Sequence, residues 1–167
     1  KYFGDWAGHF VGVFVNDVHL SDGVRSLGKQ YAGAGYETGY IGKWHLDGRG
    51  RKNYIPSESR QGFDFWKVLE CTHHYNDSQY YADDEREMRT WEGYDAIAQT
   101  REARRYIRDR ADGHSPFLLF LSWGPPHSPY GTAPERFRAL YDHADIDLPP
   151  NVPEDMAEEA REMVAGY

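Results

Sequence analysis

The sequence has a single cysteine, Cys71, and no apolar run long enough to cross a bilayer. An intrachain disulfide is therefore excluded, and so is a zinc site built on paired cysteines. Any Lys/Arg-rich stretch is also lacking. With 27 acidic against 19 basic residues the net charge is −8, the wrong sign for a surface that follows a phosphate backbone, so no nucleic-acid partner is expected. Residues 1–167 contain no initiator Met and no signal peptide, which leaves export open because such a peptide could precede Lys1. The chain opens on Lys1-Tyr2-Phe3 and closes on Met163-Val164-Ala165-Gly166-Tyr167 within a helical pattern, so residues 1–167 read as the central portion of one domain cut at both ends.

What is present is 167 residues with 40% hydrophobic and 16% aromatic content, enough for one packed α/β unit. Ser26 to Ala34 carries Leu27, Tyr31 and Ala34 at helical spacing, and Gly35 suits the position just past a helix end. Thr38-Gly39-Tyr40-Ile41 is β-prone and runs into Gly42-Lys43-Trp44-His45, after which Gly48 and Gly50 mark a loop. The bulky residues from Gly62 to Leu69 predict a second strand, followed by a loop from Glu70 to Tyr81. Tyr94 to Arg110 contains no Gly or Pro and predicts a helix with Ala96, Thr100, Ala103 and Ile107 on one face.

Pro116 introduces Phe117-Leu118-Leu119-Phe120-Leu121, a continuous apolar run of the kind expected in a core strand buried on both faces. Pro125, Pro126 and Pro129 then end the ladder. A short helix is expected from Pro134 to near Tyr141, an extended connector over Leu148 to Pro153, and a last helix from about Asp155. Helix and strand in alternation predict an α/β fold with a mainly parallel sheet flanked by helices.

Open α/β sheets bind ligands beyond the carboxyl ends of their strands, so the loops after Ile41 and Leu121 should face one crevice. They hold Lys43, His45 and His127. If the backbone stays extended, Lys43 and His45 project to one side and Trp44 to the other. An ammonium and an imidazole together suit an anionic tetrahedral group, the first holding its oxygens and the second exchanging a proton. A surface lysine and a hydrogen-bonded structural histidine would give the same spacing. His127 sits among prolines that stiffen its loop. His73-His74 with Asp77 is a weak metal pattern, because adjacent residues on an extended chain diverge. Tyr75, Tyr80 and Tyr81 are expected to pack their loop against the domain, and Asp83-Asp84-Glu85 lacks the spaced oxygens of a calcium loop and reads as a solvated turn.

The stretch Gly35-Tyr36-Glu37-Thr38-Gly39-Tyr40-Ile41-Gly42-Lys43-Trp44-His45 resembles the second signature of the formylglycine-dependent sulfatases, of the alkaline phosphatase-like superfamily. In that signature a Gly-Tyr-x-Thr run leads into Gly-Lys-x-His. Gly12-Val13-Phe14-Val15-Asn16-Asp17 looks like the segment between the family's two signatures, and Pro126-His127-Ser128-Pro129 like a later active-site loop. Cys71-Thr72-His73-His74-Tyr75-Asn76 is also similar to the family, which adds His73 to Lys43 and His127 as a candidate substrate contact.

The resemblance implies a sulfuric ester hydrolase with a formylglycine nucleophile and a calcium ion, acting on a sulfated small molecule or carbohydrate. By analogy Lys43 contacts sulfate and formylglycine, His45 bonds the formylglycine hydroxyl, and His127 meets the sulfate near the leaving oxygen. The Cys-x-Pro-x-Arg motif is absent, since Thr72-His73 follows Cys71. The modified residue and the calcium ligands are therefore expected outside this segment, and none of its residues is assigned to metal. Family members are periplasmic or secreted in some cases, which leaves localisation open. A phosphonate or phosphate monoester hydrolase of the same superfamily is one alternative, and a non-catalytic anion- or glycan-binding relative is another.

Overall fold

The computed structural model describes residues 17–141 and 146–166. Its elements are α1 (Leu27–Gly33), β1 (Glu37–Lys43), β2 (Phe65–Leu69), β3 (Gln79–Ala82), β4 (Arg89–Thr90), α2 (Asp95–Ala111), β5 (Phe117–Ser122), α3 (Glu135–Arg138) and α4 (Ala157–Gly166). Of the segment Gly12–Asp17 only Asp17 lies within the described residues.

The five strands form one sheet in the order β4-β3-β2-β1-β5. β1 runs parallel to both β2 and β5, with Tyr40 opposite Trp66 on one side and Phe120 on the other. The mainly parallel α/β sheet expected from the sequence is present. β3 and β4 were not foreseen: β3 adds antiparallel to β2 at the end of what reads as a loop, and β4 adds antiparallel to β3. β3 is centred on Tyr80 and Tyr81, so aromatic packing and pairing look alike in its sequence.

Period-two alternation divides the core between the two sheet faces. On one face Tyr40, Trp44, Ile55, Phe63, Trp66 and Val68 pack together. Trp44 meets Tyr40 edge-on with ring centroids 4.9 Å apart and Trp66 at 5.0 Å, contacts worth about 0.5–1.5 kcal/mol each beyond the area they bury. On the other face Ile41, Tyr80, Ala82, Trp91, Ala98 and Ala103 gather under α2.

Three expected faces are corrected. α2 buries Asp95, Ala98, Gln99, Ala103 and Tyr106, whereas Ile107 is exposed. Tyr106 draws the helix round, packing against Phe65 at 4.9 Å and Phe117 at 5.7 Å. α1 is capped by the Ser26 hydroxyl, which accepts from Lys29 N, and is followed by Gly35 at φ +85°. Its buried residue is Gly28 rather than the Leu27, Tyr31 and Ala34 stripe, because a side chain at Gly28 would strike the Gln61 carbonyl and the Phe63 ring. β5 is an edge strand among the described residues and only half-buried, so the expectation of burial on both faces does not hold here.

The Asp83-Asp84-Glu85 turn is exposed to solvent as expected, and two of its side chains are also tied to the domain. Asp84 is exposed but pairs with buried Arg60 at 3.1 Å, while Asp83 Oδ1 accepts from Trp66 N at 3.0 Å and so caps β2. Tyr75, Tyr80 and Tyr81 are buried as expected.

Candidate functional site

β1 and β2 pair to their carboxyl ends, and the pairing continues past Lys43. Trp44 N donates to Leu69 O at 3.0 Å and His45 N to Glu70 O at 2.9 Å. Gly42 sits at φ +113°, and a side chain there would collide with the Ser122 carbonyl of β5. Only glycine fits this close approach. His45 has φ +60°, so the backbone is not extended through the triplet as the spacing suggested. Trp44 nonetheless plunges into the core, and Lys43 and His45 stay half-exposed at the sheet end.

Glu70 fastens this loop from below. Its buried carboxylate accepts from Asp47 N and Gly48 N through Oε1, both at 2.9 Å. Burial pushes its pKa up, and the two backbone donors work against that rise. The following turn returns the chain so that Arg51 O accepts from Cys71 N at 3.1 Å, which brings Arg51 to the same end of the sheet.

Four titratable groups, Lys43, Arg51, His73 and His127, are the neighbours that act on His45. They come from the ends of β1 and β2, the 48–53 turn and the loop after β5. Burial first, then these groups, lower the His45 pKa, so its imidazole is neutral near pH 7. The His73 pKa is lowered in the same way, by burial, Lys43, His127 and Arg51. The structure thus brings together Lys43, His45, His73 and His127, and adds Arg51, which spacing did not single out. Gly48-Arg49-Gly50-Arg51 signals a turn but not which arginine it returns to the site.

His127 is exposed, and its ring lies parallel to that of His73, with centroids 4.6 Å apart and planes 8° apart. Its Nδ1 is 3.0 Å from Ser128 O. A carbonyl only accepts, so Nδ1 carries the hydrogen and Nε2 is left as the reactive nitrogen. The same carbonyl accepts from the hydroxyl of buried Tyr75 at 3.2 Å, and Tyr75 packs where Gly124 has no side chain.

Beneath this loop Asp95 N donates to Tyr75 O at 2.8 Å, and Ser78 Oγ donates to Asp95 Oδ2 at 2.9 Å. Burial raises the Asp95 pKa to about 6, opposed by the Ser78 bond. Beside Thr72 a polar hollow of ≈ 310 Å³ opens, lined in part by Lys52, Thr72, His74, Asn76 and Gln79.

The cluster suits an anion and not a cation. Among the described residues no three His, Cys, Asp or Glu side chains converge to hold a metal ion, the His73, His74 and Asp77 group included. Cys71 is a free, buried thiol.

The sulfatase family model matches residues 7–163. The chain belongs to the sulfatase family. An ulvan-active sulfatase of Formosa agariphila is 40% identical over 156 residues, which are 93% of this chain and 30% of that relative. A solved protein bound to its substrate D-glucosamine-2-N,6-O-disulfate is 26% identical, with a TM-score of 0.68 over 86% of this chain and 27% of that one. A Bacteroides thetaiotaomicron structure tied to the metabolism of multiple glycosaminoglycans superposes with a TM-score of 0.83 at 23% identity, over 96% of this chain and 39% of that one. The sulfatase segment described here thus spans less than two fifths of the length of these relatives, and its sheet and flanking helices are those of the family fold.

Proposed function

We propose that the full-length protein hydrolyses a sulfate ester of a carbohydrate. The observation that carries this is the convergence of Lys43, His45, Arg51, His73 and His127 at the carboxyl ends of β1, β2 and β5, a cationic floor for a tetrahedral anion. The family match supports sulfate over phosphate or phosphonate. The polar hollow beside Thr72, and a relative whose substrate is a sulfated glucosamine, support a sugar as the esterified group. A formylglycine hydrate and a calcium ion, held by residues other than those described, would supply the nucleophile and the Lewis acid.

In this reading Lys43 and Arg51 hold non-bridging sulfate oxygens. Neutral His45 would take, at its free ring nitrogen, the proton given up by the formylglycine hydroxyl when sulfate is released. His127, protonated at Nε2 as the imidazolium, gives that proton to the ester oxygen as the sulfur–oxygen bond breaks and returns to the neutral tautomer whose Nδ1–H stays bound to Ser128 O.

The test compares leaving groups in the full-length enzyme. His127→Ala should lose about 10²–10⁴-fold on sugar sulfates, the usual span for a general acid, and far less on nitrophenyl sulfate, whose phenol leaves unaided. Lys43→Ala should cost about 2–4 kcal/mol of transition-state stabilisation on both. Turnover of nitrophenyl phosphate in preference to nitrophenyl sulfate would move the enzyme to the phosphoester branch. Binding without turnover of either would make it a glycan-binding relative.

A further inference from the structure

We propose that His73 is a positioning residue for His127 and not a substrate ligand: its ring, stacked in parallel on that of His127, holds the imidazole in one plane while Tyr75 holds the carbonyl that fixes its tautomer. Among the described residues His127 is exposed on a loop that follows the edge strand β5. Two contacts from the 71–78 loop supply the restraint. The His73 ring covers one face at 4.6 Å and 8°. The Tyr75 hydroxyl, from a residue only 1% exposed, reaches the Ser128 carbonyl at 3.2 Å, and that carbonyl takes the Nδ1 hydrogen of His127 at 3.0 Å.

An exposed imidazole with a single hydrogen bond samples several rotamers and both tautomers, and each departure moves Nε2 away from a bound ester oxygen. The stack removes that freedom without adding a charge. Lys43, Arg51, His74 and His127 all face His73, and together with burial they keep it neutral, so the cover over His127 remains an uncharged aromatic plate when a proton sits on His127. His45, also in the cluster, is kept neutral by burial first and then by Lys43 and Arg51. A direct sulfate contact would need His73 to be cationic or to turn a ring edge toward the anion. Stacking commits one face of the ring to His127 and leaves its edge free, so a kinetic comparison of His73 variants is what separates positioning from a sulfate contact.

This inference rests on the proposed role of His127 in its kinetic arm only, since the spectroscopic arm needs no turnover. In full-length protein labelled with ring-¹⁵N histidine, long-range proton–nitrogen correlation should show His127 as a single Nδ1–H tautomer. His73→Ala should mix the tautomers, and His73→Phe, which keeps the plate, should preserve the single one. An unchanged His127 signal in His73→Ala would overturn the proposal.

In turnover, His73→Ala should lower kcat on a sugar sulfate about tenfold with little change in KM. His73→Phe should restore most of it, and His73→Ala should cost nothing more once His127 is already alanine. A further loss in the His127→Ala background, or a loss confined to KM, would make His73 a substrate contact and end the positioning role. Should His127→Ala itself show no leaving-group dependence, the general-acid reading falls, while the tautomer result still decides the positioning of the ring.

Discussion

The two loops that meet at the candidate site are built in opposite ways. The loop carrying Lys43 and His45 is held from within: β2 backbone accepts from Trp44 N and His45 N, Trp44 is sunk among Tyr40, Phe63 and Trp66, and buried Glu70 ties the backbone of Asp47 and Gly48. The loop carrying His127 has no such root. It rests at the sheet edge and is held from the side, by the His73 ring and the Tyr75 hydroxyl of a neighbouring segment. The groups proposed to hold the anion thus stand on the core, while the imidazole proposed to handle the proton depends on a loop-to-loop contact.

That contrast predicts separable failures. The largest is at Trp44, only 5% exposed: Trp44→Ala should cost about 3–5 kcal/mol of stability, the usual range for emptying a large aromatic site in a core. Urea denaturation of the full-length protein measures it. If Trp44→Ala unfolds at the wild-type midpoint, the first loop is not rooted in the core.

Next comes Asp95, which underlies the second loop. Its folded pKa is raised from 3.8 to about 6, so the native state binds the proton more tightly than the unfolded chain does. The resulting stabilisation is complete below the unfolded value and is lost as pH rises through the folded one, a change of about 3 kcal/mol across this shift. Stability from this group should therefore fall as pH rises from 4 to 6 and level off above. Asp95→Asn should flatten that interval in a series of urea melts, and an unaltered pH slope would show that Asp95 is not the group responsible.

The smallest effect sharpens the comparison most. A side chain at Gly124 would strike the Tyr75 ring, so Gly124→Ala should strain the second loop by about 1–3 kcal/mol, the cost of overpacking. Hydrolysis of sugar sulfates should fall while nitrophenyl sulfate, which needs Lys43 and not His127, is turned over near the wild-type rate. Equal losses on the two substrates would mean the loops are mechanically one unit.

The same contrast explains what could be read in advance. Gly42-Lys43-Trp44-His45 is contiguous, and its position follows from β-pairing that local sequence encodes, so the placement of Lys43 and His45 at the sheet end was legible. So was His127 as a residue on a stiff loop beyond a strand. Its partners were not, because His73, Tyr75 and Arg51 reach the site through tertiary packing of separate turns, and no spacing records which face of a loop residue turns inward. The helical face of α2 was misread for a related reason. Ile107 scores as apolar, but Tyr106 has aromatic partners on the sheet and takes the buried position.

One feature of the sheet bears on how the protein is made. β1 lies between β2, which follows it closely, and β5, which pairs with it residue for residue from Glu37 opposite Phe117 to Gly42 opposite Ser122. Non-local parallel pairing pays its loop-closure entropy before any contact repays it, and so tends to form late. During synthesis one edge of β1 stays unpaired until Ser122 has cleared the ribosome, and Lys43 waits without His127 for that interval. Apolar Tyr40 and Ile41 on an open edge are then exposed to pairing with the wrong strand. Slowing translation after β5 should favour the native register, and crowding nascent chains before it should favour aggregates.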